Sequence, residues 1–148
     1  MTDDPTSSLA IALFSEVLAA DQSVRNRLSR VLPNGMELSH FSVLNHLSRA
    51  DGERTPAQLA QTFGVTRGAM TNTLSKLEFS GFVHIRPDWD DARRKLVAIS
   101  AAGKGARDQA MNAIAPLIND AMSDLCAEDV RRALPVLRAL RTHLRPKD

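Results

Sequence analysis

The stretch TPAQLAQTFGVTRGAMTNTLSKLEF, residues 55–79, constrains the fold of this chain more than any other. Thr55-Pro56-Ala57-Gln58 reads as a capping box with Pro at the first helical position, which starts a short helix running to about Phe63. Gly64 tolerates the positive φ of a sharp turn, and Thr66 caps a second helix to about Glu78. Ala60 is small where two such helix axes would cross closely. Met70, Leu74 and Leu77, at i, i+4 and i+7, give the second helix a buried stripe. The pattern is a helix-turn-helix. An ordinary helical hairpin in a core is the other reading, and the far face of the second helix decides between them. That face presents Arg67, Gly68, Thr71, Asn72, Ser75 and Lys76, with no carboxylate before Glu78. A solvated helix usually mixes Glu with Lys. Short polar donors and acceptors flanked by cations suit the floor of a DNA major groove, and a helix about 20 Å long fits it.

The rest of the chain is organised around this pair. Thr6, Ser7 and Ser8 offer N-caps for a first helix with Leu13, Val17, Val24, Leu28 and Val31 at helical spacings, stopping at Pro33-Asn34-Gly35. A second helix starts near Ser39 and ends at Asp51-Gly52. After the helix pair, Ser80-Gly81 stops the chain with Gly in the left-handed position. Phe82–Ile85 and Leu96–Ile99 alternate as two strands. Ser100 caps a long helix, and another runs from about Ala127 to Leu144. Pro116 and Pro135 fall inside these helical patterns and predict kinks. The fold class expected is mainly α with a small β-hairpin, and no repeat or low-complexity tract is visible.

A hairpin directly after a recognition helix is a wing. Its tip carries Asp88, Asp90 and Asp91, then Arg93, Arg94 and Lys95, around the chain's one Trp, Trp89. The cations supply phosphate attraction and a guanidinium able to enter a narrow minor groove. Asp91, two residues from Arg93, is expected to hold that guanidinium through a bidentate pair. A merely solvated, charged tip is the plainer reading, and the preceding helix argues against it. Trp89 is expected to pack beneath the wing, with contact to a sugar edge as its other possible use.

From this point the chain resembles the multiple-antibiotic-resistance regulator (MarR) family of bacterial repressors, over essentially its whole length. The signature is Asp91 and Arg93 in the wing, then Leu96, Ile99-Ser100 and Gly103, with Ile-Ser in place of the family's Leu-Thr. Leu77-Glu78 and Gly81-Phe82-Val83 are similar to the family's ending of the recognition helix. The resemblance implies a homodimer, a palindromic operator in double-stranded DNA and release by a small-molecule effector. It places an acidic or aromatic ligand between dimer helices and winged part, with His40, Phe41 and Leu44 as candidate lining residues. Core packing is the alternative for Phe41 and Leu44.

The chain ends carry the dimer argument independently. Leu9, Leu13, Phe14 and Val17 at one end, and Val130, Leu134, Leu137, Leu140 and Leu144 at the other, are too much apolar surface for helices flanking a small domain. Residues 1–24 hold Asp3, Asp4, Glu16 and Asp21 and no Lys or Arg, whereas residues 130–147 hold Arg131, Arg132, Arg138, Arg141, Arg145 and Lys147 and no Asp or Glu. Such segments attract when intertwined. With 148 residues, one domain is expected: a winged part over about 35–100 and dimerisation helices over about 6–32 and 101–146.

Other chemistry leaves little trace. Net charge is +2, from 19 basic and 17 acidic residues, a weak hint of an anionic partner. No apolar run reaches the roughly 18 residues of a membrane span, and no export signal is read at MTDDPTSS. Cys126, the one cysteine, fits a reducing cytoplasm and reads as a structural or incidental thiol. His40 and His46 are six apart, unlike two metal ligands on one helical face. No phosphate-cradling or nucleophile motif stands out. A regulator without catalytic residues, cofactor or metal is therefore expected. The alternative is a helical dimer that has lost DNA binding and serves as a ligand carrier or protein-interaction module.

Overall fold

The computed structural model describes residues 4–145, so Asp3 and Lys147 in the terminal charge runs, and residue 146 of the expected C-terminal arm, lie outside it. Helices α1 (Pro5–Val31), α2 (Leu38–Arg49), α3 (Pro56–Phe63) and α4 (Arg67–Phe79) are followed by strands β1 (Val83–Asp88) and β2 (Asp91–Ile99). Helices α5 (Ala101–Met122) and α6 (Ala127–His143) complete the order. This is the mainly helical fold with one hairpin that the sequence predicts.

Local chemistry explains most boundaries. The capping box at α3 is complete: Gln58 N donates to Thr55 Oγ1 at 3.1 Å, and Thr55 N donates to Gln58 Oε1 at 2.9 Å. Gly64 ends α3 at φ 63°, and Thr66 Oγ1 accepts from Ala69 N to start α4. Ser100 caps α5 through Gly103 N. The start of α1 differs from expectation. Asp4, not a residue of Thr6–Ser8, is the N-cap, because its carboxylate accepts from Thr6 N at 3.1 Å and Pro5 then sits at the first helical position. A 3-10 turn, Pro33–Gly35, joins α1 to α2, with Asn34 at φ 57°. Helices α5 and α6 both continue through their prolines, Pro116 and Pro135.

One core cluster holds the winged unit together. Leu44 and Leu47 of α2, Leu59 of α3, Met70, Leu74 and Leu77 of α4, and Val83 and Val97 of the hairpin are all buried in it. Burying side chains of this size contributes about 1.5–3 kcal/mol each. A second cluster, Leu32, Phe41, Ala110 and Ile114, seats α5 on α2. The hairpin is antiparallel, Val83 opposite Ile99, and Arg54 adds a third backbone segment by exchanging hydrogen bonds with Val97 at 3.0 and 2.7 Å. Neither α1 nor α6 has a fully buried residue.

Candidate nucleic-acid interface

Helix α4 turns its faces as its sequence dictates. Met70, Leu74 and Leu77 are buried, while Arg67, Gly68, Thr71, Asn72, Ser75 and Lys76 are all exposed. Gly68 has room for a Cβ, so packing within the protein does not demand glycine there. Lys76 is turned toward α2: its Nζ lies 3.9 Å from Glu37 Oε1, which places it at the border of the face. Phe79 was missed by the sequence reading. It is 94% exposed, four residues after Ser75 on the same face, and its position off the buried stripe was the available signal.

The wing completes the surface. Pairing register holds from Val83–Ile99 to Pro87–Lys95 and then jumps to Asp88–Asp91. Ala92, Arg93 and Arg94 therefore bulge from β2, and such bulges re-aim side chains. Arg93, Arg94 and Lys95 share a groove of about 850 Å³ with Arg67, Thr71 and Ser75 of α4 and the start of α3. Asn72, Gly68 and Lys76 lie outside that groove, further around α4. The candidate interface thus consists of a helix face and a basic strand segment with a concave seam between them.

Two of the three tip carboxylates, Asp88 and Asp91, are engaged by neighbours. Asp91 Oδ1 accepts from Arg93 N at 3.1 Å and from Arg93 Nε at 3.3 Å. This is a single-oxygen contact instead of the bidentate pair expected: the backbone N–H and Nε of Arg93 both donate to Oδ1. It leaves both terminal nitrogens of Arg93, whose side chain is 92% exposed, free of Asp91. Asp88 lies 3.5 Å from Arg94 Nε and accepts from Asp90 N at 3.0 Å. Trp89 corrects a further expectation: it does not pack under the wing but stands 80% exposed at the tip, since the two-residue turn carries it beyond the hairpin's covered face. Beneath it lies Arg86, clamped by Glu53 through 3.1 and 2.9 Å contacts. Glu53 and Arg86 had no signal in the sequence, being 33 residues apart.

Of the candidate ligand residues, His40 lines a cavity of about 460 Å³ between the 3-10 turn, α4 and α5, together with Met36, Phe82, Ala102, Gly105 and Ala106. Phe41 and Leu44 do not line it; both are core residues, since the inner face of α2 carries them against α5 and the winged core. Among the apolar residues of the chain ends, Leu9, Leu13, Phe14, Leu134, Leu137 and Leu144 are exposed, and Val17, Val130 and Leu140 are half-buried. Cys126 is the N-cap of α6, its Sγ 3.4 Å from Asp129 N. Among the described residues, no three His, Cys, Asp or Glu side chains gather as a metal would need. Among them, too, no helix is long and apolar enough to cross a membrane.

Comparison with known proteins places these observations. Residues 34–94 match the model of the MarR family. A MarR mutant from E. coli is 25% identical, with 86% of this chain and 95% of that chain covered and a TM-score of 0.72. Sco3205, a MarR family transcriptional regulator from Streptomyces coelicolor solved in complex with DNA, is 20% identical over 99% of this chain and 95% of that one, with a TM-score of 0.81. The organohalide sensing regulator RdhR-CbdbA1625, solved in a 2,4-dichlorophenol bound form, is 19% identical over 97% of this chain and 87% of that one, with a TM-score of 0.76. No curated protein matches the chain by sequence.

Proposed function

Because the chain is a winged helix-turn-helix protein of the MarR family, we propose that it is a DNA-binding transcriptional regulator, a homodimeric repressor released from a pseudo-palindromic operator by a small molecule. The observation that carries this reading is the convergence of two separately encoded surfaces. The acid-free face of α4 and the bulged cations of β2 border one groove. Thr71, Asn72, Ser75 and Arg67 read base edges, while Arg93, Arg94 and Lys95 take the backbone and adjacent minor groove. The E. coli MarR mutant and Sco3205 have both been solved with DNA, which supports the same use here.

In this reading residues 35–100 form the DNA-binding part, and residues 6–32 and 101–146 form the dimer. Support for the dimer is the apolar N-terminal half of α1, where Leu9, Ile11, Leu13, Phe14 and Leu18 are exposed around the helix. A helix apolar on several sides is stable only when covered. The stripe of α6 provides the complementary cover, with opposite charge. The effector occupies the cavity beside His40, at the seam where α5 meets the winged unit, so that filling it shifts the two recognition helices relative to each other. The phenol-bound relative supports an aromatic ligand of this kind. The protein acts in the cytoplasm and catalyses no reaction.

The test is selection of duplexes from a random pool, followed by anisotropy titration. An enriched inverted repeat with half-sites about 34 Å apart is expected. A well-folded protein that enriches no sequence would overturn the reading in favour of a dimer that has lost DNA binding.

A further inference from the structure

Trp89 is the only Trp of the chain and stands 80% exposed at the wing tip, serving no core. Yet it is mounted, not loose. The guanidinium carbon of Arg86 lies 5.9 Å from the indole centroid. Arg86 Nε in turn donates to Glu53 Oε1 at 3.1 Å, its Nη2 stands 2.9 Å from Oε2 as an ion-pair contact without hydrogen-bond geometry, and its Nη1 donates to the Pro87 carbonyl at 3.1 Å. Two anchored nitrogens and a charge contact hold the guanidinium in one place. Glu53 belongs to the loop before α3, and the next residue, Arg54, is tied into β2 through Val97. A strut therefore runs from the body of the winged unit to the indole.

The charge around this strut is close to balanced. The segment and its clamp hold four cations, Arg86, Arg93, Arg94 and Lys95, and four carboxylates, Glu53, Asp88, Asp90 and Asp91, of which Arg86–Glu53, Arg93–Asp91 and Arg94–Asp88 are in contact. With the charges so balanced, the phosphate contacts of the β2 cations leave room for an uncharged contribution from the tip. What it offers outermost is a flat apolar ring, at the end of the hairpin whose basic segment borders the recognition groove. The surface that matches such a ring next to a major-groove site is the adjacent minor groove, whose sugar walls are its least charged part and whose binders often present apolar side chains to it. We propose that Trp89, held by the Glu53–Arg86 strut, lies against the sugar edges of the minor groove that flanks the bound recognition helix. This rests on the regulator reading above.

With no Tyr and one Trp, the protein's emission reports on this residue alone. The experiment uses the full-length protein and a duplex from the random-pool selection, with binding followed by anisotropy of labelled DNA. At saturation, acrylamide quenching of Trp89 emission should fall severalfold. Trp89→Ala should lose affinity by roughly fivefold per protomer and lose hydroxyl-radical protection of the flanking minor grooves, while protection at the centre remains. Glu53→Gln should weaken binding in the Trp89 protein and have no further effect in the Trp89→Ala background. Saturated binding with unchanged quenching, or flank protection that survives Trp89→Ala, would overturn the contact. A Glu53→Gln cost that persists without Trp89 would overturn the strut. Absence of any binding duplex would instead sink the regulator reading, and anisotropy reports that before quenching is measured.

Discussion

Gly103 lies against the carbonyl of Phe82 so closely that a Cβ at position 103 would stand 2.1 Å from Phe82 O and 2.9 Å from Ile99 Cγ1. The same carbonyl accepts from Ser100 N at 3.0 Å, and Ser100 Oγ donates to Gly81 O at 2.6 Å. This is where the wing is stitched to the arm helix. Gly103→Ala should therefore destabilise the protein by about 1–3 kcal/mol, because backbone, unlike a flexible side chain, has to move. Gly105, two residues on in the same helix, has nothing within reach of a Cβ. Gly105→Ala should raise stability by up to about 1 kcal/mol through helix propensity alone. Thermal unfolding of the two variants checks both signs; equal effects would mean that the junction is slacker than its geometry implies.

Dimerisation is expected to depend on the arms. Leu137→Asp, or deletion of residues 1–20, should give monomers or aggregates in sedimentation, since a carboxylate on the α6 stripe would be buried without a partner. An unchanged dimer after either change would remove α1 and α6 from the interface.

What was legible in the sequence was local. The Thr55–Gln58 box, the Gly64 turn and the buried stripe of α4 are each specified within a few residues, so their chemistry can be read directly. The spacing of Asp91 and Arg93 announced a pair, but not that one oxygen would serve both the backbone N–H and Nε. The Glu53–Arg86 clamp, the Arg54–Val97 bridge and the close approach of Gly103 to Phe82 join residues that only the fold brings together. Trp89 was misplaced because an apolar ring is ordinarily buried; the turn geometry that carries it outward is not written in residue type. On α2 the core-packing reading of Phe41 and Leu44 holds, because their apolar side chains lie on the helix's inner face, while His40 reaches a cavity that only the fold assembles.

His46 should make stability fall in mild acid. Burial, and secondarily the charge of Arg54, lower its pKa below the ordinary 6.5. Its ring stands edge-on to Phe63 at 5.6 Å. The folded state thus prefers the neutral imidazole and binds fewer protons than the unfolded chain. The stability involved is fully present above about pH 6.5 and is lost as pH falls from there through the folded pKa. His46→Gln should flatten the part of the denaturation profile that falls below about pH 6.5; an unchanged slope would assign it to other groups.

The cavity beside His40 is expected to bind aromatic acids weakly and to couple that binding to DNA. A compound that raises the melting temperature should also lower operator affinity, because an effector works only through unequal affinity for the two states. His40→Ala should reduce the thermal shift, whereas Gly105→Leu, which narrows the cavity, should abolish it. A stabilising ligand with no effect on operator affinity would separate the cavity from regulation.

Holding and reading should separate in the wing and in α4. Asn72→Ala is expected to lower discrimination between operator and random DNA by about 1–3 kcal/mol per half-site, the value of one good bidentate base pairing. Arg93→Ala should weaken binding to nearly all sequences and flatten the salt dependence by roughly one unit of log–log slope for each phosphate that the guanidinium neutralises. Asp91→Ala is the sharper test. Counting charges, removal of a carboxylate from a DNA-facing loop should tighten binding. The geometry argues the opposite: Asp91 Oδ1 takes the Nε and the backbone N–H of Arg93, and so aims the two terminal nitrogens of a side chain that is otherwise 92% exposed. Without Asp91 the guanidinium regains rotamer freedom that it has to give up again on DNA, which costs affinity. Asp91→Ala should therefore behave as a milder Arg93→Ala, and should have no effect once Arg93 is gone. Anisotropy titrations at several salt concentrations decide the sign, and tighter binding by Asp91→Ala would show that Asp91 only repels the duplex.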